Sequence, residues 1–75
     1  MNIFVNGEEI NYMDETINYE TVCKLAGYEV KYRPSTTYHC RMGGDLERNG
    51  ILTESKGDIK VDEGMSFTCM VTNNA

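Results

Sequence analysis

The chain has 75 residues, enough for one domain with a single small core. Charged residues make up 25% and hydrophobic residues 40% of the sequence, which is typical of a folded globular domain and not of a disordered chain. The net charge of -5 disfavours nucleic acid and anionic membranes as partners, and no apolar run has the length of a signal peptide or membrane span, so we expect a cytoplasmic protein.

The N-terminal residues predict a β-hairpin. A short apolar run occupies residues 1–5 and is followed by Asn6 and Gly7. This dipeptide favours a two-residue type I′ turn, because both of its positions tolerate a positive φ. Residues 8 to about 14 are therefore expected to return as the second strand.

A short helix is predicted to follow. Asn18 is suited to cap its start, because the side-chain oxygen can accept a hydrogen bond from a first-turn amide. Gly27 is suited to end it in a left-handed conformation, with Tyr28 closing a Schellman contact. So short a helix is not stable in isolation, so its apolar stripe is expected to pack on a sheet. The stripe consists of Tyr19, Val22, Cys23, Leu25 and Ala26.

The middle of the chain predicts one clear strand. Residues 28–35 contain Pro34, which removes a donor from a β-ladder, and we interpret them as an extended connection. Residues 36–42 alternate like a strand. Tyr38, Cys40 and Met42 are expected to face the core, and Thr37, His39 and Arg41 to face outward.

The rest of the chain predicts loops and shorter strands. Residues 43–45 start a loop, and Asn49 and Gly50 predict a second turn. Residues 51–53 are a short strand at best, and residues 58–61 are a brief alternating piece. The closing strand, residues 65–71, is better defined by its alternation. Its inward residues are Met65, Phe67, Cys69 and Val71.

The first and last strands are both apolar and free of proline, so we expect them to pair at the centre of a sheet. The predicted fold class is therefore α+β, with a four- to five-stranded mixed sheet and one helix packed on its face. The predicted centre of the core is Ile3, Val5, Phe67 and Cys69, packed against Val22, Leu25 and Ala26.

No residue pattern predicts a catalytic or metal site. The three cysteines are widely spaced, and the single histidine, His39, is adjacent to Cys40. Neighbouring residues on a strand point to opposite faces, so these two side chains are poorly placed to share a metal. We expect three reduced thiols that pack as small hydrophobic groups. The acidic pairs at residues 8–9, 14–15 and 62–63 are interpreted as solvated turns rather than as catalytic carboxylates.

Several segments, taken in order, carry a family resemblance. They are residues 1–5, 5–7, 17–22, 25–27, 49–52, 61–67 and 72–75. The first resembles the opening strand of ubiquitin, and the element order resembles the β-grasp fold. The closer similarity is to bacterial ubiquitin-like proteins of the multiubiquitin kind and of ubiquitination-like operons. It covers nearly the whole chain, and residues 28–35 match least.

This resemblance implies a protein that is a substrate and carrier, not an enzyme. Such proteins are adenylated at the C-terminal carboxylate by an activating enzyme, passed to a conjugating enzyme as an activated ester and attached to amines of target proteins. A JAB-type zinc peptidase matures or removes them, and the operons are similar to, or part of, bacterial antiphage defence. ATP, Mg²⁺ and Zn²⁺ would belong to these enzymes. The chain itself is expected to need no cofactor and to be monomeric when free.

The first candidate site is a flexible tail that follows the domain at residues 1–71. It consists of Thr72, Asn73, Asn74 and Ala75, and would reach roughly 13 Å beyond the sheet at about 3.3–3.6 Å per residue. Ubiquitin and the sulfur carriers end in Gly-Gly instead. An enzyme that activates this tail would therefore need room for the methyl group of Ala75.

The second candidate site is the outward face of the sheet, with Thr37, His39, Arg41, Thr68 and Met70. In ubiquitin-like proteins the corresponding face often docks partners, and Met70 is a large apolar side chain predicted to face outward. Two alternatives stay open. The domain could be a β-grasp binding or adaptor module that does not use its tail or, less plausibly, a sulfur carrier whose C-terminus lies beyond Ala75.

Overall fold

A computed structural model describes residues 1–42 and 46–72 of the chain, with side chains described for residues 1–40 and 49–72. The fold is α+β, with a mixed five-stranded sheet, a second sheet of two strands, and one α-helix in the described chain. The strands are β1 (Asn2–Val5), β2 (Glu8–Asn11), β3 (Thr16–Ile17), β4 (Ser35–Met42), β5 (Leu46–Leu52), β6 (Ile59–Lys60) and β7 (Ser66–Met70), and the helix is α1 (Tyr19–Ala26).

The strand order of the larger sheet is β2-β1-β7-β4-β5. β1 and β7 run parallel at its centre, and the other neighbouring pairs are antiparallel. The predicted pairing of the first and last strands is thus confirmed. β3 and β6 form the separate two-stranded sheet, which the sequence did not predict. β6 lies within the brief alternating piece predicted at residues 58–61, whereas β3 has only two residues, which is too few for an alternating pattern to be visible.

The predicted N-terminal hairpin is confirmed. Asn6 has a φ of 52° and Gly7 a φ of 83°, so both turn residues have the positive φ of a type I′ turn. Val5 and Glu8 are paired at the ends of the two strands. β2 is shorter than predicted, since it ends at Asn11 and not near residue 14.

The predicted helix signals are confirmed as well. The side chain of Asn18 accepts a hydrogen bond from the backbone amide of Thr21 at 2.9 Å. Gly27 adopts a φ of 86°, and its amide donates to the carbonyl of Lys24. The amide of Tyr28 donates to the carbonyl of Cys23 at 2.9 Å, which completes a Schellman motif.

The prediction that Leu25 belongs to the core is wrong. Leu25 is 37% exposed, whereas Val22 and Cys23 are fully buried. At 3.6 residues per turn, Leu25 lies roughly 110° around the helix from the middle of the stripe formed by residues 19, 22, 23 and 26. A helix this short buries only that narrow stripe, and Leu25 falls outside it.

The predicted turn at Asn49 and Gly50 is also wrong. Both residues lie within β5, where they pair with His39 and Tyr38 of β4. A Cβ atom at Gly50 would lie 2.9 Å from the Tyr38 hydroxyl oxygen, so the glycine leaves room for the tyrosine ring. β5 is therefore longer than the predicted strand at residues 51–53. The predicted loop at residues 43–45 lies outside the described residues.

The prediction that the connection before β4 is extended is wrong for part of its length. The connection contains a 3₁₀ helix, Val30–Tyr32, which ends at Arg33 with a left-handed φ of 51°. The following Pro34 is buried, and its carbonyl accepts a hydrogen bond of 2.5 Å from the Tyr19 hydroxyl. That bond ties the start of α1 to the start of β4.

The core lies between α1 and one face of the larger sheet, and extends to the residues flanking the smaller sheet. Its buried hydrophobic residues are Ile3, Val5, Ile17, Tyr19, Val22, Cys23, Cys40, Leu52, Val61, Met65, Phe67 and Cys69. Met65, Phe67 and Cys69 are the predicted inward residues of the closing strand and are confirmed there, while Val71 is half-buried. Thr36 is fully buried beside them.

Candidate functional site

The sheet face opposite α1, which we call the outer face, carries exposed residues from three adjacent strands. The outer face consists of Ser35, Thr37, His39, Asn49, Ile51, Ser66, Thr68 and Met70. Thr37 of β4 is paired with Thr68 of β7 on one side and with Ile51 of β5 on the other. The register therefore places polar residues in the middle of this face, with Ile51 and Met70 on the two flanking strands.

The structure brings together four of the five residues predicted for this face, namely Thr37, His39, Thr68 and Met70. The fifth, Arg41, lies in β4 opposite Glu47, and its side chain is outside the described set. Met70 is 59% exposed, in agreement with its predicted outward position.

Sequence reasoning missed Ile51, which is 65% exposed on the same face. The mistaken turn at residues 49–50 hid its position, because the pairing of β5 with β4 decides which way each side chain points. The alternation of residues 49 and 51 would have identified it, had the strand been extended through Gly50.

A groove of about 460 Å³ opens at one end of the outer face, where β4 begins and β5 ends. Ser35, Thr37 and Ile51 belong both to the groove and to the outer face. Its other lining residues include Tyr19, Arg33, Pro34, Leu52, Thr53 and Glu54. An apolar floor with one positive and one negative side chain is suited to an apolar side chain of a peptide or protein.

The end of β7 is held on both sides. On one side, the Asn6 side-chain amide donates to the Cys69 carbonyl at 2.9 Å and accepts from the Cys69 amide at 2.9 Å. The backbone amide of Asn6 also donates to the carbonyl of Phe67 at 2.8 Å. Asn6 thereby extends the parallel pairing of β1 with β7 beyond the last residue of β1. On the other side, Met70 pairs with Ser35.

The predicted tail begins just after this fixed point. Thr72 is exposed, two residues beyond the end of β7. Asn73, Asn74 and Ala75 lie outside the described residues. The sequence pointed to Asn6 only as a turn residue, and its second role depends on a partner more than sixty positions away, which no local pattern reveals.

Three findings bear on chemistry at these sites. His39 is exposed on the outer face while Cys40 is buried on the opposite face, with its thiol donating to Asp62 Oδ2 at 3.6 Å. Within the described ranges, no group of three or more His, Cys, Asp or Glu side chains is arranged to hold a metal ion. No helix there has the length and apolar character needed to cross a membrane.

Burial raises the pKa values of two side chains near the end of β7. Burial raises the pKa of the Tyr19 hydroxyl to about 12. It also raises the pKa of the Cys69 thiol, although a hydrogen bond from Thr36 acts in the opposite direction. Both groups are buried and neutral at physiological pH, so neither is a surface catalytic group.

Comparison with protein-family models, curated proteins and solved structures gives no match. The functional assignment therefore depends on the chain's own residues. Two candidate sites remain, namely the outer face with its groove and the segment that follows β7.

Proposed function

We propose that this chain is a ubiquitin-like protein modifier with a β-grasp fold, used through its C-terminal carboxylate. The observation that carries the proposal is the way the last strand is held. β7 is hydrogen-bonded on both sides up to residues 69 and 70, and the exposed Thr72 follows immediately. A rigid base of this kind presents the residues beyond it at a defined place on the molecule.

The topology supports the same proposal. A mixed sheet of order β2-β1-β7-β4-β5 with parallel central strands, and one helix between β3 and β4, is compatible with a β-grasp. The N-terminal hairpin and the capped helix both lie in segments whose sequence resembles bacterial ubiquitin-like proteins. The fold therefore agrees with the resemblance in its order as well as in its content.

The proposed chemistry is acyl transfer from the tail. The carboxylate attacks the α-phosphorus of ATP, pyrophosphate leaves, and an acyl-adenylate forms on the activating enzyme. A thiol or hydroxyl of an enzyme in the cascade then displaces AMP to give an activated ester. An amine of the target attacks this ester and releases the enzyme side chain, which leaves an amide bond. The chain supplies the carboxylate and the docking surface, and the enzymes supply ATP, Mg²⁺ and the catalytic groups.

The decisive experiment compares two forms of the chain that differ only in the C-terminal group of Ala75. One form carries the Ala75 carboxylate, and the other carries a carboxamide made by chemical ligation. Each is incubated with ATP, Mg²⁺ and the activating enzymes encoded in the same genome, and adducts are measured by intact mass. We expect an adduct with the carboxylate form alone. Equal adducts from both forms, or none with an enzyme that is active on its other substrates, would refute activation at the tail.

The outer face is the proposed docking surface for the conjugating enzyme. Met70→Asp replaces one of the two large exposed apolar side chains of this face with a charge. Met13→Asp makes the same change at a residue that is 83% exposed and lies outside the larger sheet. Burying a methionine at an interface contributes about 1.5–3 kcal/mol, so Met70→Asp should weaken binding at least about tenfold. Titration calorimetry with Met13→Asp as the matched control measures this. Equal affinities for the two variants would remove the outer face from the proposal.

A second candidate function is a binding or adaptor module that does not use its tail. The exposed pair Ile51 and Met70, on one face and beside the groove, favours it. Removal of residues 73–75 separates the two functions. An adaptor keeps its partner affinity and its cellular activity without these residues, whereas a modifier keeps the affinity of its outer face and loses all transfer.

A further inference from the structure

Two of the three cysteines meet inside the core. Cys23 of α1 and Cys69 of β7 are both fully buried, and their Sγ atoms are 3.9 Å apart. The hydroxyl of Thr36 donates to Cys69 Sγ at 3.4 Å and lies 4.0 Å from Cys23 Sγ. The third cysteine, Cys40, has a different environment, since its thiol donates to the carboxylate of Asp62.

We propose that Cys23 and Cys69 form an oxidation site, at which a peroxide converts the two thiols into a disulfide that joins α1 to β7. A disulfide requires an S–S distance of about 2.05 Å, so the two sulfur atoms need to approach by roughly 2 Å. At 3.9 Å they are already close to van der Waals contact, with the Thr36 hydroxyl beside both. The fold thus selects one of the three pairings that three cysteines allow.

The steps balance with hydrogen peroxide as the oxidant. The Cys69 thiolate attacks one peroxide oxygen, the O–O bond breaks, and hydroxide leaves as water after taking up a proton. The Cys69 sulfenic acid is then attacked by the Cys23 sulfur, which forms the S–S bond and displaces the hydroxyl group as a second water. The two thiols lose two electrons in total, and the peroxide gains them.

The hydrogen bond from Thr36 indicates that Cys69, and not Cys23, reacts first with the peroxide. The Thr36 hydroxyl donates this bond to the Cys69 sulfur, and such a bond stabilises the thiolate relative to the thiol. Burial works against it and raises the pKa of Cys69, so the reaction is slow and needs a small oxidant that reaches the core during local opening. The pair is therefore reduced in ordinary conditions and reacts when peroxide persists.

The disulfide would change the mechanics of the fold. It closes a loop that contains β4, β5 and β6, and it fixes the helix to the strand that precedes the tail. Closing a loop of this length restricts the unfolded chain far more than the folded one. We therefore expect the oxidised protein to unfold at a Tm higher by about 10 °C or more, with full reversal by dithiothreitol.

The test uses the full chain, folded and then exposed to hydrogen peroxide. Remaining thiols are blocked with N-ethylmaleimide in denaturant, and the protein is digested with trypsin. The three cysteines fall in different peptides, namely residues 1–24, 32–41 and 61–75. We expect a disulfide between the first and the last, with Cys40 alone blocked. Links that involve Cys40, oxidation to sulfinic or sulfonic acid without a link, or no reaction until denaturant is added would each overturn the proposal.

Three variants sharpen the result. Cys40→Ser should oxidise like the wild type, and Cys69→Ser should form no link between the two peptides. Thr36→Val keeps the shape of the side chain but removes its donor, and should slow formation of the link roughly 3- to 10-fold. An unchanged rate in Thr36→Val would remove Thr36 from the site. A lower Tm of the oxidised wild type would refute the stabilising role of the disulfide.

Discussion

Replacing Asn6 by glycine tests how the end of β7 is held. The Asn6 side chain makes two hydrogen bonds to the backbone of Cys69, each 2.9 Å long. Glycine keeps the positive φ of the turn and loses both bonds. At about 0.5–1.5 kcal/mol per hydrogen bond the loss is about 1–3 kcal/mol, and the freedom of glycine in the unfolded chain adds about 0.4–1 kcal/mol.

Urea unfolding followed by circular dichroism measures the effect, since the chain has no tryptophan to report it by fluorescence. The midpoint should fall while the slope m stays constant. Asn6→Asp keeps the acceptor for the Cys69 amide and loses the donor, so its stability should lie between those of the wild type and the glycine variant. Asn11→Gly at an exposed position of β2 is the control for glycine itself.

Hydrogen exchange gives the local readout. Without the Asn6 side chain, the Cys69 amide loses its acceptor and should exchange faster, while the backbone amide of Asn6 still donates to Phe67. The reasoning fails if Asn6→Gly costs no more than Asn11→Gly and the exchange rate of the Cys69 amide is unchanged. In that case the backbone ladder alone would hold β7.

Three further predictions follow from burial. Phe67→Ala should lower the free energy of unfolding by about 3–5 kcal/mol, because Phe67 is 1% exposed. Thr68→Ala on the outer face should change it by no more than about 0.5 kcal/mol. A Phe67→Ala protein that melts within a few degrees of the wild type would contradict the core assignment. Leu25→Ala should cost less than about 1 kcal/mol in urea unfolding, and a loss above about 2 kcal/mol would place Leu25 back in the core. Tyr19→Phe should cost about 1 kcal/mol at pH 7, because it removes the hydrogen bond to the carbonyl of Pro34. The pKa of Tyr19 is raised from 10.0 to about 12 on folding, so its contribution to stability is complete below pH 10 and is lost as the pH rises through 12. Ultraviolet titration of the wild type measures this pKa. Alkaline unfolding checks the sign, because Tyr19→Phe should not lose this contribution at high pH.

The elements that the sequence predicted well are those whose cause is local. The type I′ turn depends on Asn6 and Gly7 alone, and the limits of α1 depend on Asn18 and Gly27. Each of these residues has a backbone or side-chain preference that acts within a few positions. The alternation of β7 is local too, so its buried residues were predicted before its neighbours in the sheet were known.

The errors arise where a distant partner decides the outcome. The dipeptide Asn49-Gly50 is typical of a turn, but it lies within β5, where the ring of Tyr38 in the neighbouring strand occupies the space beside Gly50. β3 has only two residues and was not detected without its partner β6, which lies within the predicted piece at residues 58–61. The exposed position of Ile51 depended on the pairing that the mistaken turn concealed. Four residues of the outer face were still predicted, because β4 and β7 alternate clearly.

The central position of β7 has a consequence for how the protein is made. Among the described strands β7 is the last in the chain, yet β1 and β4 both pair with it. A nascent chain that stops before residue 66 leaves both of these edges open, and the pairing of β1 with β7 joins residues from opposite ends of the sequence. Folding must therefore wait until translation has passed β7. Under the proposed modifier function this would act as quality control, because β7 would be in place to present the residues that follow it only in a copy that has been translated beyond β7 and has folded.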